Sequence, residues 1–122
     1  MPTNVYFLKQ VYMKEYSSLY PDLVEKSIVD GIKIVSLHIN PVFNGDMYAY
    51  DTIQIENSKF DYAGVVDALV QFKYPIDKMQ AVINNYLLDP EDAYAISEFN
   101  AMQAWRKEAK EIAKQALEYE LH

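Results

Sequence analysis

The sequence predicts an α+β domain in which a small antiparallel sheet from the N-terminal half packs against three C-terminal helices. Two observations predict this class. Residues 1–57 are rich in β-branched and aromatic residues with turn formers between them, whereas residues 58–122 place apolar side chains at helical spacing. Neither half is long enough to bury a core by itself, so we expect the 122 residues to form a single domain.

The first two segments of the β-rich half are a strand and a short connecting element. Residues 5–13 alternate between two faces, which predicts a strand. Pro21 opens residues 22–30, where Leu23, Val24 and Ile28 favour a short helix that Gly31 would stop. A loop or a further strand is the alternative there.

A β-hairpin is predicted next. Residues 32–39 and 47–55 are β-branched runs, and the Asn44-Gly45 pair between them is a strong turn signal. Pro41 lacks a backbone donor, so we expect it to lie outside the paired ladder.

Three helices are predicted in the second half. Ser58 followed by Asp61 resembles a capping box, so the first helix is expected at about 59–73. Tyr74-Pro75 ends it, and a second helix runs from Ile76 to the residue before Asp89. Asp89 is the expected cap of the third helix, with Pro90 at its first position.

The third helix is expected to be long and charged on its outer side. Its apolar positions recur every three or four residues to about Tyr119, and opposite charges lie one turn apart. Residues 97–100 include Ser97 and Asn100, which have weak helix propensity, so a break there is the alternative.

Composition and charge exclude several function classes. The chain has no cysteine, which removes disulfides, thiol nucleophiles and thiolate zinc sites. Its net charge of −7 argues against binding nucleic acid through the phosphates, and its acids are interleaved with lysines rather than grouped as in a DNA mimic. No membrane span or secretory signal is visible, so the expected location is the cytoplasm or a virion.

The residues needed for catalysis or cofactor binding are sparse. Three glycines do not make a phosphate-binding loop, and residues 44–51 lack the regular oxygen ligands of a calcium loop. His38 is the only internal histidine, and it shares a strand face with Ser36 and Asn40. That face is either the polar end of a binding groove or a solvent-facing strand edge. We therefore expect no enzyme, no cofactor and no metal site.

Aromatic residues are the remaining candidates for function. There are 11 tyrosines, which either reflect coding bias or supply a contact surface. Tyr48 and Tyr50 share a face with Thr52, and that face lies either against the helices or against another chain. Trp105, beside Arg106, either seals the edge of the core or contacts a ligand. The predicted partner-binding residues are Tyr48, Tyr50 and Trp105.

Two stretches of the helical half carry a resemblance to known proteins. Residues 84–90 (Asn-Asn-Tyr-Leu-Leu-Asp-Pro) and residues 99–110, which contain Trp105-Arg106, resemble small accessory proteins encoded in phages and prophages of gut bacteria. The same helices are similar to the C-terminal helices of tail-fibre assembly chaperones. The resemblance covers nothing in the β-rich half. It implies a non-enzymatic role in a virion or in its assembly.

These observations favour one function and leave a second open. The first is a non-catalytic protein-interaction protein, with other proteins as partners and self-association among the expected contacts. The alternative is a small-ligand-binding domain or minimal enzyme that uses a pocket near His38, the one internal side chain that titrates near neutral pH in its ordinary state.

Overall fold

The structure is a four-stranded antiparallel sheet with three helices, an α+β fold as predicted. It is a computed structural model that describes residues 11–120. The strands are β1 (Val11–Ser17), β2 (Val24–Val29), β3 (Ile32–Phe43) and β4 (Tyr48–Glu56), and the helices are α1 (Tyr62–Lys73), α2 (Ile76–Leu88) and α3 (Ala93–Glu120). The strand order is β1-β4-β3-β2, so β3 and β4 are the inner strands. The sheet therefore comes from the N-terminal half and the helices from the C-terminal half.

The two edge strands differ from the sequence prediction. Of the strand predicted at residues 5–13, only residues 11–13 lie among the described residues, and they open β1. The helix predicted at residues 22–30 is wrong, because this segment is β2 and pairs with β3 from Val24 opposite Leu37 to Val29 opposite Ile32. The spacing of Leu23, Val24 and Ile28 is only a weak helix signal, and pairing with a long neighbouring strand overrides it.

The predicted hairpin is confirmed, with β3 and β4 joined by a turn at Asn44-Gly45. The side-chain oxygen of Asn44 accepts hydrogen bonds from the backbone nitrogens of Asp46 at 3.0 Å and Met47 at 2.8 Å. Gly45 has φ of 97°, a left-handed conformation that glycine adopts at no steric cost. The turn sets the register that ends with Phe43 opposite Tyr48.

Both helix starts lie three residues later than their predicted caps. Asp61, rather than Ser58, caps α1, since its carboxylate accepts from the Gly64 nitrogen at 2.8 Å. At α3 the carboxylate of Asp92 accepts from Ala95 nitrogen at 2.8 Å, and Asp89 lies in the preceding turn. The candidate caps were Ser58 and Asp61 at α1 and Asp89 and Asp92 at α3, and in each case the second one caps the helix. α2 begins at Ile76 as predicted, and α3 has no break at residues 97–100.

One face of the sheet packs against α1 and α3. The sheet side of this core is formed by alternate residues of the inner strands, and the helix side includes three alanines of α3. The buried residues are Val24, Val35, Leu37, Ile39, Ile53, Ile55, Val65, Ala68, Leu69, Val70, Trp105, Ala109, Ala113 and Ala116. Because side chains alternate along a strand, Ser36, His38 and Thr52 lie on the opposite face.

α2 packs chiefly against α3 and forms a second, smaller cluster. Val82, Ala95 and Met102 are buried but lie outside the main core. Tyr86 of α2 stacks on Phe99 of α3 with ring centroids 4.3 Å apart. Met79 of α2 also packs against the main core, and much of the outer surface of α2 is exposed.

Candidate functional site

A β-bulge places the aromatic side chains at the end of the hairpin. The β3–β4 register pairs Ile39 with Asp51 and then Val42 with Ala49, so two residues of β3 oppose Tyr50 alone. Asn40, at the bulge, has φ of 55°. Pro41 is the other extra residue; it is part of β3 but has no register partner, which agrees with its expected exclusion from the ladder.

The extra residue changes which face of the sheet Phe43 occupies. Before the bulge, odd-numbered residues of β3 face the helices. A one-residue shift exchanges the two faces, so after the bulge Phe43 lies on the face away from the helices. It is then directly opposite Tyr48, and the two rings contact each other with centroids 5.0 Å apart.

Three aromatic rings therefore form a cluster that we call the hairpin-end patch: Tyr20, Phe43 and Tyr48. Tyr20, from the segment between β1 and β2, meets Tyr48 edge-on at 5.4 Å. Tyr20 is 67% exposed and Phe43 is 55% exposed, while Tyr48 is half-buried between them. Further exposed apolar side chains at this end of the sheet are Tyr16, Leu19 and Val42.

Tyr50, the next tyrosine on the same face, is buried rather than exposed. Its ring meets the imidazole of His38 edge-on at 5.0 Å. Burial raises the pKa of the Tyr50 phenol, and the nearby carboxylates of Glu15 and Glu25 raise it further. The phenol therefore stays neutral, and Tyr50 acts as a packing residue beneath the patch.

A chain of hydrogen bonds crosses the sheet beside Tyr50, with one residue from each strand. His38 Nε2 lies 2.9 Å from Glu25 Oε1, and His38 Nδ1 lies 2.9 Å from Thr52 Oγ1. The Thr52 hydroxyl donates to Glu15 Oε1 at 2.5 Å. Because that hydroxyl gives its proton to Glu15, it accepts from His38 Nδ1–H.

The order hydroxyl, imidazole, carboxylate matches a nucleophile triad, but the arrangement is closed to substrate. Thr52 is 1% exposed, so its oxygen cannot reach an external carbonyl. The two edge carboxylates hold the outer strands to the inner ones, which is a structural role. The interpretation of His38 as a solvent-facing edge residue is wrong, because β3 is an inner strand and His38 is buried.

A cavity of about 340 Å³ lies on the other side of β3 from this imidazole. It is lined by the segment before β2, by the bulge and by α3, with Tyr20, Pro21, Asn40, Pro41, Glu108 and Ile112 in its wall. His38 contributes to the wall as well, although strand alternation directs its ring to the opposite face. The ring is therefore held by Glu25 and Thr52 rather than directed at a ligand in this cavity.

Trp105 is part of the core. It is 3% exposed, and its indole nitrogen donates to the backbone oxygen of Leu69 at 2.8 Å. Lys73 Nζ lies 4.0 Å from the centre of its ring. Trp105 thus joins α3 to α1, and its burial removes it from the predicted partner-binding set. The same correction applies to Tyr50, so Tyr48 alone of the three borders exposed surface.

Sequence patterns did not identify the other members of the patch. Tyr20 lies between predicted elements, and Phe43 was placed in the loop of the hairpin. Both become neighbours of Tyr48 only through the fold. An available signal was the pair of aromatic residues that flanks the predicted turn, with Phe43 directly before Asn44-Gly45 and Tyr48 three residues after Gly45.

Comparison of the chain with family models, with curated proteins and with solved structures finds no match in any of the three. Within residues 11–120, no helix is both long and apolar enough to cross a bilayer. In that same part of the chain, no group of three or more histidine, aspartate or glutamate side chains is arranged to hold a metal ion.

Proposed function

We propose that the chain is a non-catalytic protein-interaction protein that binds another protein through the hairpin-end patch. The observation that carries the proposal is the exposure of Tyr20 and Phe43 on either side of Tyr48. Aromatic side chains are enriched at the centres of protein interfaces because they bury much surface and lose little side-chain entropy.

The geometry of the patch supports binding to a protein surface. Tyr48 is fixed by register opposite Phe43 and by ring contact with Tyr20, so the patch is organised before a partner arrives. Preorganised side chains lose less entropy on binding. The tyrosine hydroxyls at its rim also keep hydrogen-bonding capacity toward a partner.

The biological setting that we propose is a phage-type particle or its assembly, as the resemblance of the helical half implies. The net charge of −7 supports a protein rather than a nucleic acid as partner. We place the protein in the cytoplasm of an infected cell or in the virion.

Site-specific photo-crosslinking in phage-producing cells tests this function. A photoreactive phenylalanine analogue at position 43 is expected to give one defined adduct with a virion or assembly protein, and Tyr20→Ser should reduce its yield at least tenfold. The control places the analogue at Tyr119, an exposed tyrosine near the end of α3. Equal adducts at positions 43 and 119, or none at 43, would contradict the proposal.

A second candidate function is small-ligand binding or minimal catalysis near His38. The observation that favours it is the cavity of about 340 Å³ that has His38 among its lining residues. Replacing His38 with Ala should then abolish binding of a ligand found by small-molecule screening. Unchanged binding in that variant, with the fold intact by circular dichroism, would remove this candidate.

A further inference from the structure

The cavity between the β-bulge and α3, which we call the bulge cavity, adjoins the hairpin-end patch. Tyr20 belongs to both, since it lies in the cavity wall and also meets Tyr48 of the patch edge-on. A partner that covers the patch can therefore reach into the cavity. Its volume of about 340 Å³ is near the lower end of ligand pockets, which span roughly 300–1,000 Å³. That volume suits one inserted side chain better than a large cofactor.

The wall of the bulge cavity carries negative charge. Glu108 supplies a carboxylate, and the side-chain amides of Asn40 and Gln115 supply further oxygen acceptors. Among the described residues, no lysine or arginine lines this cavity. The wall therefore favours a cationic group and disfavours an anionic one.

The carboxylate of Glu108 has no partner of its own. Within residues 11–120, no hydrogen bond or ion pair engages it. The next acid along α3, Glu111, has Lys107 one turn before it. Glu108 instead has Ala104 and Ile112 one turn before and after it, neither of which can pair with a carboxylate. Glu108 therefore keeps its full capacity to bind a cation that enters the cavity.

Two basic side chains of α3 lie toward the other side of the helix. Arg106 and Lys110 line a separate cavity that α3 forms with α1 and α2. Helical geometry places them on a different face from Glu108, Ile112 and Gln115, which share the wall of the bulge cavity. Arg106 and Lys110 therefore do not compete for Glu108.

The rest of the wall fits the stem of a long basic side chain. Leu23 and Ile112 are half-buried apolar residues of the wall. Lysine and arginine pack their methylene stems on apolar surface while their charged heads stay at polar groups. The ring of Tyr20 adds an aromatic face, over which a cation is favoured. Arginine suits these features well, because its flat guanidinium stacks on aromatic rings and donates to several acceptors.

We propose that the bulge cavity takes a basic side chain of the protein that binds the hairpin-end patch, with Glu108 as the counter-ion. This inference rests on the proposed function and adds the chemistry of the partner. The partner segment places an apolar group over Phe43 and Tyr48 and, next to it, a lysine or arginine that enters beside Tyr20. The net charge of −7 also steers a basic partner toward the molecule.

Nuclear magnetic resonance of the full chain with N-acetyl-arginine amide as the probe tests the cavity. The probe should shift the amide signals of residues 20–23, 39–41 and 108–115, and its dissociation constant should be millimolar because one exposed ion pair contributes little. N-acetyl-citrulline amide has nearly the same shape without the charge and should bind at least threefold more weakly. Equal binding of the two probes would overturn the proposal.

Replacement of Glu108 isolates the contribution of its carboxylate. Glu108→Gln should abolish the preference for the arginine probe over the citrulline probe, and circular dichroism checks that this exposed substitution leaves the fold intact. Glu111→Gln is the matched control, because it removes the same charge from α3 at a position outside the cavity wall and should preserve the preference. An equal loss in both variants would show that overall charge, rather than the cavity, attracts the probe, and would overturn the proposal.

The photo-crosslink at position 43 separates this inference from the proposed function. Glu108→Gln should lower the yield of the adduct at least threefold, and Glu111→Gln should not. An adduct that forms equally well in Glu108→Gln would overturn the basic side chain and leave the partner-binding function intact. No adduct at position 43 would contradict the proposed function and with it this partner, while a retained preference for the arginine probe would still support the cavity as a site for a basic group.

Discussion

At the scale of single residues, Thr52 is the centre of the polar network on the face of the sheet away from the helices. It accepts from His38 and donates to Glu15, so its hydroxyl links β4 to the inner strand β3 on one side and to the edge strand β1 on the other. Thr52→Val keeps the shape of the side chain but leaves the buried Nδ1–H of His38 without an acceptor.

We expect Thr52→Val to lower the free energy of unfolding by about 1–3 kcal/mol, the usual cost of a buried polar group without a partner. Urea denaturation measures it. Thr52→Ser retains the hydroxyl, so most of the stability should return in that variant. Equal losses in the two variants would show that methyl packing, rather than the hydrogen bonds, makes Thr52 important.

Tyr50 gives a pH-dependent prediction from the same network. Its pKa lies above the ordinary 10.0 because of burial first, then Glu15 and Glu25. The folded state thus favours the neutral phenol, and this contribution to stability is full below pH 10.0 and is lost as the pH rises through the folded-state pKa. Near-ultraviolet titration of tyrosinate, with Tyr50→Phe as the reference, should show a lower Tyr50 pKa in Glu15→Gln. An unchanged titration would place the Glu15 carboxylate too far away to act.

At the scale of elements, the start of α1 is closely packed against the residues before it. A Cβ atom built on Gly64 would lie 2.0 Å from the backbone oxygen of Lys59. In an ordinary helix, Gly→Ala stabilises by about 1 kcal/mol. Here the sign should reverse.

We expect Gly64→Ala to destabilise by roughly 1–3 kcal/mol, as overpacking commonly does. Thermal or urea unfolding gives the value, and Ala63→Gly, in the same turn and exposed, measures the helix-propensity effect without the clash. A more stable Gly64→Ala protein would mean that the 3-10 turn at Asn57–Lys59 does not approach the helix this closely.

The elements that sequence patterns predicted well are those with strong local signals. Asn44-Gly45 predicted the hairpin, and Pro75 predicted the start of α2. The periodic apolar positions predicted the long helix α3. β2 was missed because Gly31 was interpreted as the stop of a helix, whereas Asp30-Gly31 is the two-residue turn of a β2–β3 hairpin, and Glu25 therefore could not be placed beside His38. Phe43 was missed because a one-residue bulge determines which face of the sheet its side chain occupies. The sequence around Pro41 does not show how β3 is paired with β4, so the bulge could not be predicted.

At the scale of the whole molecule, the close packing of α3 on the sheet depends on small side chains. Ala109, Ala113 and Ala116 are fully buried on the side of α3 that contacts the core. Their size allows the helix to lie near the strands and lets Trp105 reach the backbone of Leu69.

Ala113→Leu should therefore destabilise the protein by about 1–3 kcal/mol, because the added carbons have no space in a filled core. Ala101→Leu is the matched control, since Ala101 lies on the same helix but is exposed, and it should change stability by less than about 0.5 kcal/mol. Chemical denaturation of both variants provides the comparison. Equal effects would indicate that the helix can move away from the sheet.

The separate cluster of Val82, Ala95 and Met102 has a consequence for local unfolding. Val82 is the one buried side chain of α2, and Met79 adds a partly buried contact with the main core, so we expect α2 to detach while the sheet, α1 and the rest of α3 stay native. Native-state hydrogen exchange on dilute protein should show amide protons of α2 opening at a free energy clearly below that of β3 and β4. Limited proteolysis should accordingly cut first within residues 76–92, and identical protection in α2 and the inner strands would show a single cooperative unit.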